Sequence, residues 1–235
     1  MTAACVVASD IGSGSCKTIV MQTGGRVLAA AQQEYPTSYP HPGWVEQNPD
    51  DWYDAFCSTV RSALAKADIA PAQVIGVGVG GVTHNAVLLG ADDRPLGPTI
   101  LMFDTRSATQ VDQILSRWGA DEVRRQALND VTTVWAWPQL AWVREHQPDV
   151  WKRIRRILFP KDYVRHRLAP SPLTDVIDAG GTLLFNPMTE AWIPEFCADL
   201  GLAQDLLPEA VPSTAIVAQV SASGAADTGL AAGTP

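Results

Sequence analysis

The segment Cys5–Gln22, with the sequence CVVASDIGSGSCKTIVMQ, decides the fold class of this chain. Two apolar runs, Cys5–Ser9 and Cys16–Gln22, are typical of strands, and the polar, glycine-containing stretch Asp10–Ser15 between them is typical of a turn. After a Gly-Gly turn signal, Arg26–Glu34 continues as a third strand. Because a parallel crossover needs about a dozen residues or more, strands joined by such short turns must be antiparallel.

The rest of the chain alternates between helix and strand patterns. Asn48 and Pro49 are predicted to begin a helix whose apolar stripe continues to Leu64. Val74–Gly80 is predicted as a buried strand whose glycines leave one face without side chains, and Asp175–Gly181 is predicted as a loop. Further helices are predicted from Ser107, Pro138 and Pro160, and a further strand over 154–159. Antiparallel strands followed by this alternation predict an α/β domain, with a mixed sheet flanked by helices.

The composition excludes several classes of function. Hydrophobic residues make up 46% of the 235 residues, enough for a sizeable core, and the formal net charge is −8. We therefore expect no nucleic-acid partner and no adhesion to anionic lipid. No apolar stretch approaches the ~18 residues of a membrane span. Four scattered cysteines without CxxC spacing, and the lack of a basic N-terminal region, favour the reducing cytoplasm.

The strongest local signal for function is the octapeptide DIGSGSCK at residues 10–17. A carboxylate ends the first strand, glycines expose backbone N–H groups, and a lysine follows. These groups together suit a phosphate with its magnesium ion. Cys16 stands where a Walker A loop requires glycine, and Lys17 occupies the third glycine position of a dinucleotide fingerprint, so both are excluded. An ordinary hairpin with Gly-Ser turn chemistry remains the alternative.

Two further polar clusters follow predicted strands. The hydroxyl, imidazole and amide of Thr83, His84 and Asn85 lie where sheets place ligand contacts, and they suit a polyhydroxylated ligand. A turn histidine with satisfied hydrogen bonds is the alternative. Asp104 and Arg106 follow another apolar run, and they can either bind hydroxyl groups or pair as a structural salt bridge.

Other motifs carry less information. The segment Gly76–Gly81 fits GxGxxG, but it lies within a strand and no helix opens behind it, so it does not indicate a nucleotide site. Asp162, beside Lys161 at a predicted helix start, can be a plain cap. Most of the eight tryptophans are expected in the core, although Trp135 or Trp137 can form the wall of a sugar site.

Taken together and in this order, the segments resemble motifs of the FGGY family of carbohydrate kinases, especially its xylulose kinases. Residues 10–17 resemble the phosphate loop DxGTxSxK, with Ser13 in place of threonine. Residues 81–86 resemble GQMHGA, with Thr83 for methionine and Asn85 for glycine. Asp104-Thr105-Arg106 resembles DxR, although Phe103 replaces the usual asparagine. Residues 42–49 with Trp52 are similar to GW-EQ-P, residues 158–163 to LPKDY, residues 174–182 to TDxSxAxxT with Ile177 for serine, and residues 228–235 to TGLxxGTPV.

The resemblance implies an actin-like, ribonuclease-H-like ATPase lobe. It also implies an ATP-dependent sugar kinase that uses Mg²⁺ and phosphorylates a hydroxyl of a ketopentose, similar to D-xylulose, or of a related polyol. By the same resemblance, Asp10 positions Mg²⁺ through water. The transferring phosphate would be bordered by Gly12, Ser13, Gly14, Ser15 and Lys17, and the sugar would be contacted by Thr83, His84, Asp104 and Arg106.

Family members are longer than this chain. Residues 1–235 are therefore expected to form the N-terminal, sugar-binding domain, without the C-terminal nucleotide-binding domain that carries the catalytic base, and to be inactive alone. A non-catalytic sugar-binding or partner-binding module on the same half-fold is one alternative. An actin-like phosphatase or chaperone-type ATPase is another. An apolar cleft face can also favour a homodimer.

Overall fold

The computed structural model describes residues 4–235. Its strands are Cys5–Ile11 (β1), Ser15–Gln22 (β2), Val27–Glu34 (β3), Glu46–Gln47 (β4), Val74–Gly81 (β5), Val87–Leu89 (β6), Thr99–Ile100 (β7), Arg156–Leu158 (β8), Leu173–Asp175 (β9), Phe185–Asn186 (β10), Ala191–Trp192 (β11) and Glu209–Val211 (β12). Its α-helices are Pro49–Ala67 (α1), Ala108–Trp118 (α2), Ala120–Ala127 (α3), Ala136–His146 (α4), Pro148–Arg153 (α5), Pro160–Leu168 (α6), Val176–Gly180 (α7), Pro194–Leu200 (α8) and Ala222–Thr228 (α9). Short 3-10 helices cover Pro71–Gln73 and Gln204–Leu206.

The first three strands form an antiparallel meander, as the short turns predict. β1 runs two residues further than predicted and includes Asp10 and Ile11. Alternate side chains of β1, such as Val7 and Ile11, are buried, whereas Asp10 is exposed. This period-2 pattern places the carboxylate on the face of the sheet opposite the core.

β5 joins the meander as a parallel neighbour of β1, which gives a mixed four-stranded sheet in the order β3-β2-β1-β5. The prediction of a mixed sheet is confirmed. The prediction that Val74–Gly80 is buried is wrong, because β5 is the edge strand and Ile75 is 52% exposed. Gly78 and Gly80 share the face of Ala8 and Asp10, and no side chain of β5 covers that face.

α1 makes the crossover from the meander to β5, and its start matches the prediction. The side chain of Asn48 accepts a hydrogen bond from the Asp50 N–H, and Pro49 occupies the first helical position. Trp52, Phe56 and Val60 are fully buried. Together with α6 they form the core beneath the sheet, and this core fixes the position of the strand ends above it.

A second hydrophobic core lies around α4 and α8, with Trp137 and Phe196 at its centre. Short pairings surround it, joining β6 to β8, β4 to β7, β10 to β11 and β9 to β12. The loop prediction for Asp175–Gly181 is wrong, because residues 176–180 form α7. The carboxylate of Asp175 caps this helix by accepting from the N–H groups of Ile177 and Asp178. None of the helices within residues 4–235 has the length and apolar composition needed to span a bilayer.

Candidate functional site

The turn between β1 and β2 presents an acid and a base side by side. Asp10 and Lys17 are cross-strand partners, and both are exposed. The Gly12 N–H closes the turn on the Ser15 carbonyl oxygen at 3.0 Å. A side chain on Gly12 would crowd this turn, because its Cβ would lie 3.1 Å from that oxygen and 3.9 Å from Oδ2 of Asp10. The sequence therefore allows a tight turn directly beside the carboxylate.

Tyr35 and Gln47, whose roles the sequence did not predict, stabilise this turn through its carbonyl groups. The Tyr35 hydroxyl donates to the Gly12 carbonyl, and Nε2 of Gln47 donates to the Ser13 carbonyl at 2.7 Å. Gln47 is fixed in turn by Trp52, whose Nε1–H donates to Oε1 at 2.9 Å. Gln47 and Trp52 belong to the GW-EQ-P segment, so that motif was the signal in the sequence from which their role at the turn could have been predicted.

The exposed side of the same turn presents backbone N–H groups that can donate to a ligand. Within residues 4–235 the N–H groups of Ser13 and Gly14 make no hydrogen bond, and both residues are exposed. Asp10 supplies a carboxylate at this turn, and within that range no group of three or more histidine, cysteine, aspartate or glutamate side chains is arranged to hold a metal ion by itself. A magnesium ion bound to a phosphate needs one or two carboxylates and keeps several waters. The residues of the turn therefore fit a magnesium–phosphate ligand.

Thr83 and His84 lie next to this turn because β1 and β5 end together. Ile11 is paired with Gly81, and the Val82 N–H donates to the Ile11 carbonyl at 2.8 Å. His84 has a left-handed backbone, with φ of 54°, and is 5% exposed. The parallel pairing thus brings the predicted sugar contacts to the same sheet end as Asp10.

The imidazole of His84 is tightly surrounded. Its Nδ1 lies 2.6 Å from Oγ1 of Thr83, and its ring centroid lies 4.8 Å from that of Trp135. A Cβ built on Gly181 would lie 2.9 Å from the same Nδ1. Trp135 is thus the tryptophan placed to border a ligand, whereas Trp137 is 1% exposed and stacks on Phe196 in the core.

The hydrogen-bonding capacity of this cluster is incomplete. Nε2 of His84 and Oδ1 of Asn85 are buried without a hydrogen-bond partner, and so is Oε1 of Gln139, whose amide donates to the Thr133 carbonyl. Burial lowers the pKa of His84 to about 4, so the imidazole is neutral at pH 7. An unpartnered buried polar atom costs about 1–3 kcal/mol. Nε2 therefore differs from the alternative of a turn histidine with satisfied hydrogen bonds, and this favours the hypothesis of a ligand contact.

Asp104 and Arg106 form a buried ion pair. The guanidinium of Arg106 contacts Asp104 at 2.7 Å and Glu46 at 2.8 Å, and its side chain is 1% exposed. It also stacks on Trp44, 3.7 Å from the ring centroid. Asp104 additionally accepts from the Val45 N–H at 2.6 Å. The structural salt bridge is therefore present, and the predicted contact of these two residues with sugar stays a prediction.

Lys161 is the centre of a second buried charge cluster. Its ammonium lies 2.8 Å from Asp162 and 2.9 Å from Asp178, and Thr174 donates to Asp162 at 2.7 Å. Burial raises the pKa of Asp178 to about 6, although Lys161 opposes the shift. The alternative of Asp162 as a helix cap is wrong, because no side-chain cap bond starts α6. The ion pair between Lys161 and Asp178 joins α6 to α7. The last residue of α7 precedes Gly181, which lies beside His84.

The chain is similar to known proteins over almost its whole length. Residues 5–235 match the family model described as FGGY family of carbohydrate kinases, N-terminal domain. The xylulose kinase of Bacillus subtilis (strain 168) is 32% identical over 225 residues, which are 96% of this chain and 45% of that protein. The xylulose kinase of Escherichia coli (strain K12) is 32% identical over 200 residues, 85% of this chain and 40% of that protein. The chain thus spans less than half the length of these relatives.

Solved structures show the same fold. A xylulose kinase from Rhodospirillum rubrum superposes with a TM-score of 0.94 at 25% identity, covering 98% of this chain and 47% of that one. A gluconate kinase from Lactobacillus acidophilus superposes with a TM-score of 0.91 at 21% identity, with the same coverage of both chains. The fold is the actin-like, ribonuclease-H-like ATPase lobe, which confirms the expected fold class.

Proposed function

Since the chain belongs to the FGGY family of carbohydrate kinases, we propose that it forms the N-terminal, sugar-binding domain of an ATP-dependent sugar kinase. The proposed acceptor is a hydroxyl of a ketopentose, similar to D-xylulose, or of a related polyol. One observation carries the proposal. The exposed Asp10 turn and the buried, incompletely hydrogen-bonded His84–Asn85 pair lie at the ends of two adjacent parallel strands.

The proposed cofactors are ATP and Mg²⁺, which supply the phosphoryl group and neutralise its charge when bound. Asp10 would hold Mg²⁺ through water, and Lys17 would add positive charge beside it. The free N–H groups at Ser13 and Gly14 would donate to phosphate oxygens, and the turn that presents them is closed by Gly12 and Ser15. Tyr35 and Gln47 keep these donors in place from the other side.

On the sugar side, His84 and Asn85 offer a nitrogen and an oxygen to the hydroxyl groups of the ligand, with Thr83 beside them. We assign Asp104 and Arg106 a positioning role. Arg106 binds Glu46, the neighbour of the Gln47 that supports the phosphate turn. The ion pair therefore stabilises the turn through β4, and a contact of Asp104 and Arg106 with the sugar stays a prediction.

The general base and the adenine pocket are not placed on this chain. By resemblance they belong to a C-terminal nucleotide-binding domain, and residues 1–235 alone are expected to bind sugar poorly and to turn over negligibly. Phosphoryl transfer depends mainly on positioning and charge neutralisation, and both need the second domain. The non-catalytic module remains the alternative, and it predicts ligand binding without any turnover in the full gene product.

The decisive experiment expresses the gene in full and measures ADP release across a panel of ketopentoses and polyols. Sugar-stimulated release is expected, and Asp10→Asn should lower it by roughly 100-fold or more because the metal and phosphate lose their anchor. Asp112→Asn is the matched control, since Asp112 is an exposed residue of α2. Release that no sugar stimulates, or equal rates for Asp10→Asn and the control, would contradict the kinase assignment.

We also propose a cytoplasmic location, without nucleic-acid or membrane partners. The thiols of Cys16, Cys57 and Cys197 are buried, as expected for a reducing compartment. A homodimer stays a prediction, and the apolar edge at Ile75 is the surface to examine for it by light scattering.

A further inference from the structure

Resting on the proposed function, we propose that Thr83 is a positioning residue for the ligand. Its hydroxyl holds His84 in the tautomer that carries its proton on Nε2, which makes the imidazole a hydrogen-bond donor to an acceptor oxygen of the sugar. A carbonyl or hydroxyl oxygen of the ligand fits this requirement.

The two side chains are joined by a short hydrogen bond. Oγ1 of Thr83 and Nδ1 of His84 are 2.6 Å apart. A nitrogen of a neutral imidazole either donates or accepts, so each direction of this bond places the imidazole proton on a different nitrogen. Which direction holds depends on the acceptors that each proton can find.

The hydrogen-bond partners of Thr83 favour the hydroxyl as the donor. Within residues 4–235 its hydroxyl has His84 as its one hydrogen-bond partner. If Nδ1 carried the proton, the half-buried Thr83 hydroxyl would accept the hydrogen bond. Its own proton would then have no acceptor within residues 4–235. If the hydroxyl donates, its proton has an acceptor and Nδ1 has a donor. In a neutral imidazole each nitrogen acts either as a donor or as an acceptor, so Nδ1 then carries no proton.

The hydrogen bond to Thr83 favours the ring orientation that keeps Nδ1 beside that hydroxyl, because a turned ring would place a C–H group there. His84 starts from a left-handed backbone, with Gly181 against Nδ1 on one side and the Trp135 ring 4.8 Å away. The imidazole is buried and neutral, so exactly one nitrogen holds a proton. With Nδ1 occupied by Thr83, that nitrogen is Nε2.

The consequence is a buried N–H that lacks an acceptor. Nε2 has no hydrogen-bond partner in the structure. A sugar oxygen that accepts from it would remove this deficit, and because Nε2 is buried, part of its surroundings must shift to admit that oxygen. Without the Thr83 hydroxyl the proton can sit on either nitrogen, and part of the population would present a lone pair to the ligand instead.

The experiment uses the chain with ¹⁵N-labelled histidine and compares Thr83→Val, which removes the hydroxyl at equal size, with Thr83→Ser, which retains it. Long-range ¹H–¹⁵N spectra of the imidazole report the tautomer without any ligand, and His84→Gln assigns the signals. A protonated Nε2 is expected in the wild type and in Thr83→Ser, and mixed tautomers in Thr83→Val. A proton on Nδ1 in the wild type, or an unchanged tautomer in Thr83→Val, would overturn the proposal.

Titration with D-xylulose gives the second measurement. Thr83→Val should weaken binding by about 5- to 30-fold, and Thr83→Ser by less than about 2-fold, in line with one hydrogen bond to a buried group. Equal affinities for the wild type and Thr83→Val would refute a role in ligand positioning. The titration uses the full gene product, because residues 1–235 alone are expected to bind sugar poorly. If the full gene product binds no sugar, the proposed function fails, and the ligand-free spectra of the chain still decide the tautomer separately.

Discussion

Replacing Gly181 with alanine tests the geometry of the candidate sugar site directly. A Cβ at this position would lie 2.9 Å from Nδ1, 3.1 Å from Cβ and 3.2 Å from Cγ of His84. The backbone of Gly181 has φ of −76°, which alanine adopts without strain. The three heavy atoms nearest to the new Cβ all belong to His84, so the substitution places a methyl group against the imidazole.

The expected cost follows from the packing around the ring. His84 is held by Thr83 and by its left-handed backbone, so the imidazole cannot move away freely. Overpacking a close-packed site costs about 1–3 kcal/mol. We expect Gly181→Ala to lower the free energy of unfolding by that amount. Where the ring yields instead, the affinity for D-xylulose should fall by about 5- to 150-fold, since about 1.4 kcal/mol corresponds to a factor of ten.

The neighbouring residue supplies a matched control. A Cβ on Gly180, in the last turn of α7, would meet Cγ of Pro187 at 3.5 Å, which is an ordinary van der Waals contact. Gly180→Ala should be neutral or stabilise by about 0.4–1 kcal/mol, because it reduces the entropy of the unfolded chain. Urea titrations and sugar titrations of both variants form the assay. Equal effects of the two substitutions would refute the placement of Gly181 against His84.

Three further perturbations test the charges around the site. Lys161→Met should lower the free energy of unfolding by about 3–5 kcal/mol, because it leaves the buried carboxylate of Asp178 without its cation. Asp162 keeps Arg165 at 3.4 Å. Urea titration should show that adding Asp178→Asn recovers part of the loss, and strict additivity would argue against the pair. Arg106→Lys should cost about 2 kcal/mol, since lysine reproduces neither the forked hydrogen bonds nor the stack on Trp44, and an unchanged melting temperature would count against this. Burial lowers the pKa of His84 from 6.5 to about 4, so between these pH values the unfolded chain binds a proton that the folded chain does not. The wild type should therefore lose about 3 kcal/mol relative to His84→Gln as pH falls from 6.5 to 4, and parallel stability curves for the two proteins would contradict a buried neutral imidazole.

Several parts of the fold could be predicted because their causes are local. The short turns force β1, β2 and β3 to be antiparallel. Asn48 and Pro49 specify the start of α1 through the unsatisfied N–H groups that every helix start exposes. The alternation along β1 places Asp10 on the open face of the sheet.

Other parts escaped prediction because they depend on distant segments. The apolar and glycine pattern of Val74–Gly80 is the same for a central strand and for an edge strand, and only the sheet order decides its burial.

The helix α7 had a local signal that was overlooked, namely an aspartate at position 175 able to cap the N–H groups of Ile177 and Asp178. With only five residues, its helical pattern is too short to stand out from a loop.

The sequence by itself determined the character of the site: a strand ending in a carboxylate, a glycine turn with a lysine behind it, and a histidine at the exit of a second strand. Only the tertiary structure decided the partners of these groups. For Arg106 the sequence left open a salt bridge or a ligand contact, and only the structure shows its ion pair with Glu46 and its stack on Trp44. The free Nε2 of His84 became visible only once Thr83, Trp135 and Gly181 had filled the rest of its surroundings. Chain connectivity sets what a residue type can do within a few positions. Burial and pairing depend on which remote segments the sheet brings together, and these decide whether a polar group is satisfied within the protein or available to a ligand.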